Sequence, residues 1–404
     1  DRVFTDPHFG SDTVAIPAIA ITMNMSHRRY LDNAATTWPK PPEVLAAWER
    51  AAREVGATAG RGLYREAVEA AAIRGRARAA VARILGGVDP ARVALPAGCT
   101  LALNTAIHGL VRPGDHVIAT AADHNATLRP LHWLATRGGV EVTLVPCDSE
   151  GLVDPDAIAA AWRPATRLVV CSHASNVTGG GQDVGAVVGI AHDRGGLVLL
   201  DAAQSLGQLP CDLPGWGADI VAAPAHKWLL GTGGVAVLWA REGVEPEPLV
   251  QGGTGTGSDS LEMPSEFAER MEAGAPDVPA LASLAAAIGW LEQQGVAAVG
   301  EACRSLAEAC AAELVTIPGV RVVGGRRVAP IVSFTVEGYD PADVAVILES
   351  MAGVQVRAGF HCAASIHDPL GTRAGGTVRA GFGPFNDMAD VTALTGAVAA
   401  IAAG

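Results

Sequence analysis

The sequence predicts an α/β fold: a mainly parallel sheet flanked by helices, followed by a smaller α+β unit. Three observations predict it. Between residues 90 and 240, short β-rich runs alternate with helical stretches, which builds a parallel sheet with helices on both sides. Several of these runs are almost continuously apolar, the pattern of strands covered on both faces. Beyond residue 276 strands and helices become fewer and more mixed.

In chain order, the strand-like runs are "RVALPAG" (92–98), "DHVIAT" (115–120), "VEVTLVPC" (140–147), "RLVVCSHAS" (167–175), "GLVLLDAAQ" (196–204), "DIVAAPAHK" (219–227) and "GVAVLWA" (234–240). Helical segments such as "TLALNTAIHGLV" (100–111) and "VGAVVGIAHDRG" (184–195) lie between them. The glycine- and serine-rich stretch 251–266 reads as a long loop, and the alanine-rich run 280–294 as a helix. Then come "PIVSFTVEG" (330–338), a helical "PADVAVILES" (341–350), "VQVRAGFHCAA" (354–364), "GTVRAGFG" (376–383) and a last helix. We therefore expect a large unit over 30–275 and a small C-terminal one over 276–404. The pattern leaves strand order open. Residues 1–29 are expected to be an N-terminal extension or a cloning remnant without function. The first 24 lack the basic start and long apolar centre of a signal peptide.

Of the 404 residues, 49% are hydrophobic and only 18% charged, enough to bury a sizeable core rather than stay disordered. A formal net charge of −13 argues against a nucleic-acid or anionic-membrane partner, which needs clustered Lys and Arg. No apolar run reaches the ~20 residues that cross a bilayer. The cysteines at 99, 147, 171, 211, 303, 310 and 362 are odd in number, widely spaced and free of CxxC pairs. That pattern argues against a disulfide framework or a metal site and suits a reduced, cytoplasmic setting.

The chemistry starts from a bias. Of 29 basic residues only Lys40 and Lys227 are lysines. Arginine replaces lysine wherever charge alone is needed, but not where an amine must form a carbon–nitrogen double bond. Guanidinium keeps its proton; a desolvated amine can lose it and attack an aldehyde. Lys227 ends an apolar strand, beside His226, and is a candidate for that role; the plainer reading is a surface lysine. Asp201 ends the run "LVLLD", at the strand edge where open α/β sheets bind ligands. It is placed to pair with a pyridinium nitrogen, or to cap the next helix. "LPAGCTLALN" (95–104) is a strand, a glycine turn and a helix start, whose N–H groups and Thr100 hydroxyl suit a phosphate. His124 follows another strand, where an imidazole can stack on a ring or simply be structural. Cys362 lies in "RAGFHCAASIHDPLGTRAGG", among arginines, histidines and glycines that favour a reactive, movable thiol.

Eight blocks occur in order: "YLDNAATTWPKP" (30–41), "GRGLYREA" (60–67), "DHNATLRPL" (123–131), "SHASNVTGG" (172–180), "DAAQSLGQLPCD" (201–212), "AHKWLLGTGGVAVL" (225–238), "VRAGFHCA" (356–363) and "GTVRAGFGPFN" (376–386). Together they resemble the cysteine desulfurase and selenocysteine lyase family, pyridoxal 5'-phosphate (PLP) enzymes of the class V aminotransferase fold, a type I PLP-dependent transferase. The resemblance covers roughly 30–390. It implies that Lys227 joins the PLP aldehyde, Asp201 pairs with the pyridine nitrogen, and Gln204 with the phenolic oxygen. It implies His124 stacked on the ring as a catalytic residue, Cys99, Thr100 and His226 around the phosphate, and Asn176 near the phenolic oxygen and the substrate. Arg379, with Asn176 and Asn33, would hold the substrate carboxylate, and Cys362 would accept sulfur.

The implied activity is release of sulfur from L-cysteine, giving L-alanine and a Cys362 persulfide for a thiol or protein acceptor, in a homodimer. The short link from Cys362 to Arg379 resembles the members whose cysteine sits on a short ordered loop, selenocysteine lyases among them. Alternatives on the same scaffold are a selenocysteine lyase and a specialised PLP-dependent lyase or aminotransferase of a biosynthetic pathway; a PLP-free scaffold is the non-enzymatic one.

The sequence departs from the family pattern. Pro224-Ala225 stands where Ser-Gly or Thr-Gly usually precedes His-Lys, Ala275 where Thr is common, and Tyr64 where relatives carry His. Each lost charge-assisted hydrogen bond to phosphate is worth about 1.5–3 kcal/mol. Thr254, Thr256 and Ser258 are candidates to replace them.

Overall fold

The computed structural model describes residues 28–404, apart from 61 and 212. Nearly all of the expected 1–29 extension lies outside the described residues. The strands are β1 (Arg29–Tyr30), β2 (Val93–Ala94), β3 (His116–Thr120), β4 (Glu141–Val145), β5 (Thr166–Ser172), β6 (Leu197–Asp201), β7 (Ile220–Pro224) and β8 (Ala236–Ala240). They continue with β9 (Val320–Val323), β10 (Ile331–Val336), β11 (Val354–Gln355), β12 (Arg357–Gly359) and β13 (Thr377–Gly381).

All seven apolar runs between 90 and 240 enter one sheet, in the order β2-β8-β7-β6-β5-β3-β4. Only β8 runs antiparallel to its neighbours. The continuous apolar character has a direct cause. Val169, Leu200 and Val221 enter one core cluster, while their chain neighbours Val170, Leu199 and Ala222 enter another. Alternate residues point to opposite faces of a strand, and both faces are covered.

Helices cover the two faces. Val278–Gln294 packs on Pro42–Arg50 and Arg65–Ile84. Its Leu281, Leu284, Ile288 and Leu291 share the core cluster of Leu200 and Val221. This helix, expected in the small unit, thus buries its apolar face against the large sheet. Conversely β1 pairs with β11, and Leu31 is buried among Phe334, Val354 and Phe382. From Arg29 the chain runs through the C-terminal layer, builds the large sheet, and returns. That layer is an antiparallel sheet, β12-β13-β10-β9, packed against Val296–Leu314, Pro341–Ala352 and Met388–Ala403.

Registers bring the site together. Asp201 of β6 lies opposite Ser172 of β5 and Ala222 of β7, so β5 and β6 end level and β7 runs two residues further, at the carboxyl edge of the sheet.

Candidate active site

A cavity of about 500 Å³ opens at that edge. Asp201, buried at the end of β6, accepts from the Ala203 N–H through Oδ1 (2.9 Å), and among the described residues Oδ2 makes no hydrogen bond. Burial raises its pKa and the Lys227 charge opposes that shift. Lys227 follows β7 by three residues, in a turn closed by the Leu230 N–H donating to the Lys227 carbonyl (2.8 Å). Burial lowers the Lys227 amine pKa, with Asp201 pulling it back up. Lys227 and Asp201 therefore line one cavity, each charge favouring the ionised form of the other against the cost of burial.

The start of helix Cys99–Leu110 forms another wall, contributing Gly98, Cys99 and Thr100. Burial pushes the Cys99 thiol well above its usual range. His124 caps the helix Asn125–Arg137, its Nδ1 accepting from the Ala126 N–H (2.9 Å). A neutral ring with an accepting Nδ1 carries its proton on Nε2. Burial, aided by the nearby Lys227 and Arg357 charges, holds this imidazole down at about 4, so it is neutral near pH 7. His226 is lowered to about 4 in the same way, mainly by burial.

The C-terminal layer closes the cavity. Arg379 is 1% exposed; its Nη2 donates to Asp32 Oδ1 (2.8 Å) and its Nη1 to the Asn176 carbonyl (2.9 Å), while Nε has no partner. Asn176 Nδ2 donates to the His361 carbonyl (2.7 Å), tying the large sheet to the Cys362 segment. His361 and Cys362 both have left-handed backbones, φ +50° and +60°. Two consecutive residues without glycine's freedom in that region make a strained turn. The Cys362 carbonyl accepts from Asn125 N–H (2.7 Å), and Arg357 Nη2 lies 3.4 Å from Cys362 Sγ.

Of the residues singled out from sequence, Cys99, Thr100, His124, Asn176, Asp201, Gln204, His226, Lys227 and Arg379 line the cavity. Gln204 is already engaged there: Nε2 donates to the Ala34 carbonyl (2.9 Å) and Oε1 accepts from Trp228 Nε1 (2.7 Å). Cys362 lines an adjoining groove rather than the cavity itself. Asn33 does not reach the cavity. Its amide holds the layer together, donating to the Gly381 carbonyl (2.8 Å) and accepting from the Trp38 N–H (3.1 Å).

Sequence reading assigned no role to Lys40, Asp32, Asp123, Arg357 or His361. Asp123 accepts from the Thr120 and Ser172 N–H groups (both 2.7 Å), bridging the ends of β3 and β5 just before His124. The available signal was position: all five lie inside a quoted block, and Asp32, Asp123 and His361 stand directly beside Asn33, His124 and Cys362.

A family model, aminotransferase class-V, matches residues 29–394. The chain belongs to the class-V aminotransferase family. A probable cysteine desulfurase from Methanothermobacter thermautotrophicus is 35% identical, over 90% of this chain and 92% of that protein. The cysteine desulfurase CsdA of Escherichia coli is 31% identical, over 91% and 92%. Among solved structures, a cysteine desulfurase from Thermococcus onnurineus matches with TM-score 0.86 and 30% identity, covering 93% of this chain and 95% of that one. A structure of E. coli CsdA matches with TM-score 0.82, covering 91% and 93%.

Within this class-V chain, the departures from family pattern have definite places. Pro224 stands on the cavity wall, where it offers no donor. Ala275 lies in a neighbouring cavity of about 350 Å³ that shares Ala97, Gly234 and Val235 with the first. Thr254, Thr256 and Ser258 line neither wall of the main cavity in their own chain. Thr254 bonds with Thr256, whose hydroxyl donates to Glu269 (2.7 Å) on the helix Phe267–Met271, so these two threonines are engaged away from the cavity.

Proposed function

We propose that the protein is a PLP-dependent cysteine desulfurase that converts L-cysteine to L-alanine and leaves a persulfide on Cys362. One observation carries this reading: Lys227, Asp201 and Arg379 face one cavity, and Cys362 stands beside it against an arginine. The residues fit PLP on the donor set. Asp201 presents an unused oxygen inside a buried site, suited to a pyridinium N–H, and the helix start at Cys99–Thr100 suits an anion. Bound PLP supplies an aldehyde that condenses with amines and a ring that accepts electrons from the substrate α-carbon.

The chain's own groups do the rest. Burial favours loss of the Lys227 proton, so this amine would hold the PLP aldehyde and would take up the proton from the substrate α-carbon. Arg379 lines the cavity and would hold the α-carboxylate, while Asp32 and Asn176 fix the guanidinium plane. The neutral His124 lies across the cavity with a donor at Nε2. Cys362 attacks the substrate sulfur: the Sγ–Sγ bond forms, the Cβ–Sγ bond breaks, and its electron pair stays with carbon. That carbon takes up a proton, giving alanine. Seven widely spaced cysteines with no CxxC pair support a reducing compartment, and among the described residues no helix is long and apolar enough to cross a membrane. A homodimer follows from the family likeness alone.

The decisive experiment compares wild type with Lys227→Ala. Wild type should take up PLP with a visible absorption band and form alanine and sulfide from L-cysteine; the variant should lose the band and the activity. Wild type that neither binds PLP nor forms alanine would overturn the assignment.

A further inference from the structure

A second opening adjoins the cavity. The groove between helices Cys99–Leu110 and Asn125–Arg137 has a volume of about 520 Å³ and shares Thr100, His124 and Ala126 with the cavity wall. Cys362 lines this groove and not the cavity. Its other walls are Asn104, His108, Asn125, Arg129, Pro130 and Trp133, with no carboxylate among them. Arg129 is exposed and, among the described residues, has no ion-pair or hydrogen-bond partner. Trp133 is 47% exposed and packs edge-on to His108, with ring centroids 5.6 Å apart. On a chain of formal charge −13, this groove carries an arginine and no carboxylate among its lining residues. Its volume falls within the ~300–1,000 Å³ of small-molecule sites.

Resting on the desulfurase reading above, we propose that this groove is where Cys362 hands on its sulfur, and that its occupant is a small thiol bearing carboxylates. The two openings lie on either side of His124. A cysteine substrate enters one, and an acceptor reaches the sulfur from the other without displacing it. Arg129 draws the acceptor's carboxylate, and the exposed Trp133 face covers its carbon chain. The acceptor thiolate attacks the outer sulfur of the Cys362 persulfide. A new S–S bond forms to the acceptor, the Cys362 S–S bond breaks, and Cys362 departs as a thiolate. Sulfane sulfur moves between thiols with no net oxidation or reduction.

The test uses full-length holoenzyme with two acceptors, glutathione and the uncharged 2-mercaptoethanol. Variants are Arg129→Glu, Arg129→Lys and Trp133→Ala. One-turnover alanine formation from L-cysteine should be the same in all four proteins. The KM for glutathione should rise about three- to tenfold in Arg129→Glu, the range for an exposed ion pair and its reversal. It should recover in Arg129→Lys, and rise in Trp133→Ala. The KM for 2-mercaptoethanol should not respond to Arg129. Equal glutathione KM values in wild type and Arg129→Glu, with intact alanine formation, would overturn the groove assignment. So would an effect confined to a cysteine-bearing acceptor protein. Absence of one-turnover alanine in wild type would instead overturn the desulfurase reading, and the groove proposal with it.

Discussion

Lys40 Nζ donates to the carbonyl of His226 at 2.7 Å and to Thr37 Oγ1 at 2.6 Å, so the chain's two lysines meet at one peptide. The same carbonyl also accepts from Thr37 N–H, and the Lys227 carbonyl accepts from Thr37 Oγ1 (2.9 Å). The N-terminal block thus pins the backbone on both sides of the Lys227 side chain. Burial pulls the Lys40 amine down to about 7.

A pH-dependent stability follows. In the unfolded chain this amine keeps an ordinary lysine pKa. Above about 7 the folded protein has shed a proton that the unfolded chain still holds. Stability therefore rises with pH from about 7 to the unfolded pKa, by at most ~1.4 kcal/mol per unit and less where solvent reaches the amine. Below that window the term is flat. Lys40→Met removes it. The melting-temperature difference between wild type and variant should move in favour of wild type from pH ~7 to ~9.5. A pH-independent difference would show that Lys40 titrates as a solvated lysine.

Arg379→Lys keeps the charge but loses the planar fork that Asp32 and Asn176 orient. The KM for L-cysteine should rise about 10- to 100-fold, with a smaller change in kcat. Arg379→Ala leaves the half-buried Asp32 without its cation and should unfold at lower denaturant. Unchanged KM in the lysine variant would remove Arg379 from substrate binding.

Cys362→Ser should abolish alanine formation from L-cysteine while leaving PLP uptake intact, because Cys362 lies outside the cavity wall. Selenide release from L-selenocysteine by this variant would favour the lyase alternative. Full cysteine activity in the variant would remove Cys362 as the sulfur acceptor.

Gly376 has φ +83°, and a Cβ there would stand 2.2 Å from the Gly359 carbonyl oxygen. Main chain cannot yield as a side chain can, so β12, which carries Arg357 and leads to Cys362, must shift. Gly376→Ala should lower both thermal stability and one-turnover alanine formation. Gly375→Ala, whose Cβ would meet Pro341 at 3.3 Å, is the mild control. Equal effects of the two would show that the close β12–β13 approach is not what positions the Cys362 segment.

Much of the fold was legible in the sequence. A strand with both faces buried must be apolar at every position, and β5, β6 and β7 carry that signature without tertiary information. The lysine bias and the carboxyl-edge position of Asp201 gave two corners of the site in the same way. Asn33 was misplaced because a motif asparagine reads alike whether it faces a substrate or bonds the Gly381 backbone. Lys40 went unread because its importance lies in a contact 186 positions along the chain.

By itself, then, the sequence determined the elements, their layering and which residue types could do amine and thiol chemistry, since these follow from local pattern. Tertiary structure alone decided that Val278–Gln294 joins the large core and that β1 joins the C-terminal layer. It also decided that Cys362 faces a second opening and that Arg379 is held by Asp32. The physical reason is range: patterning fixes which face a residue turns inward, but only the packed chain sets which distant group meets it there.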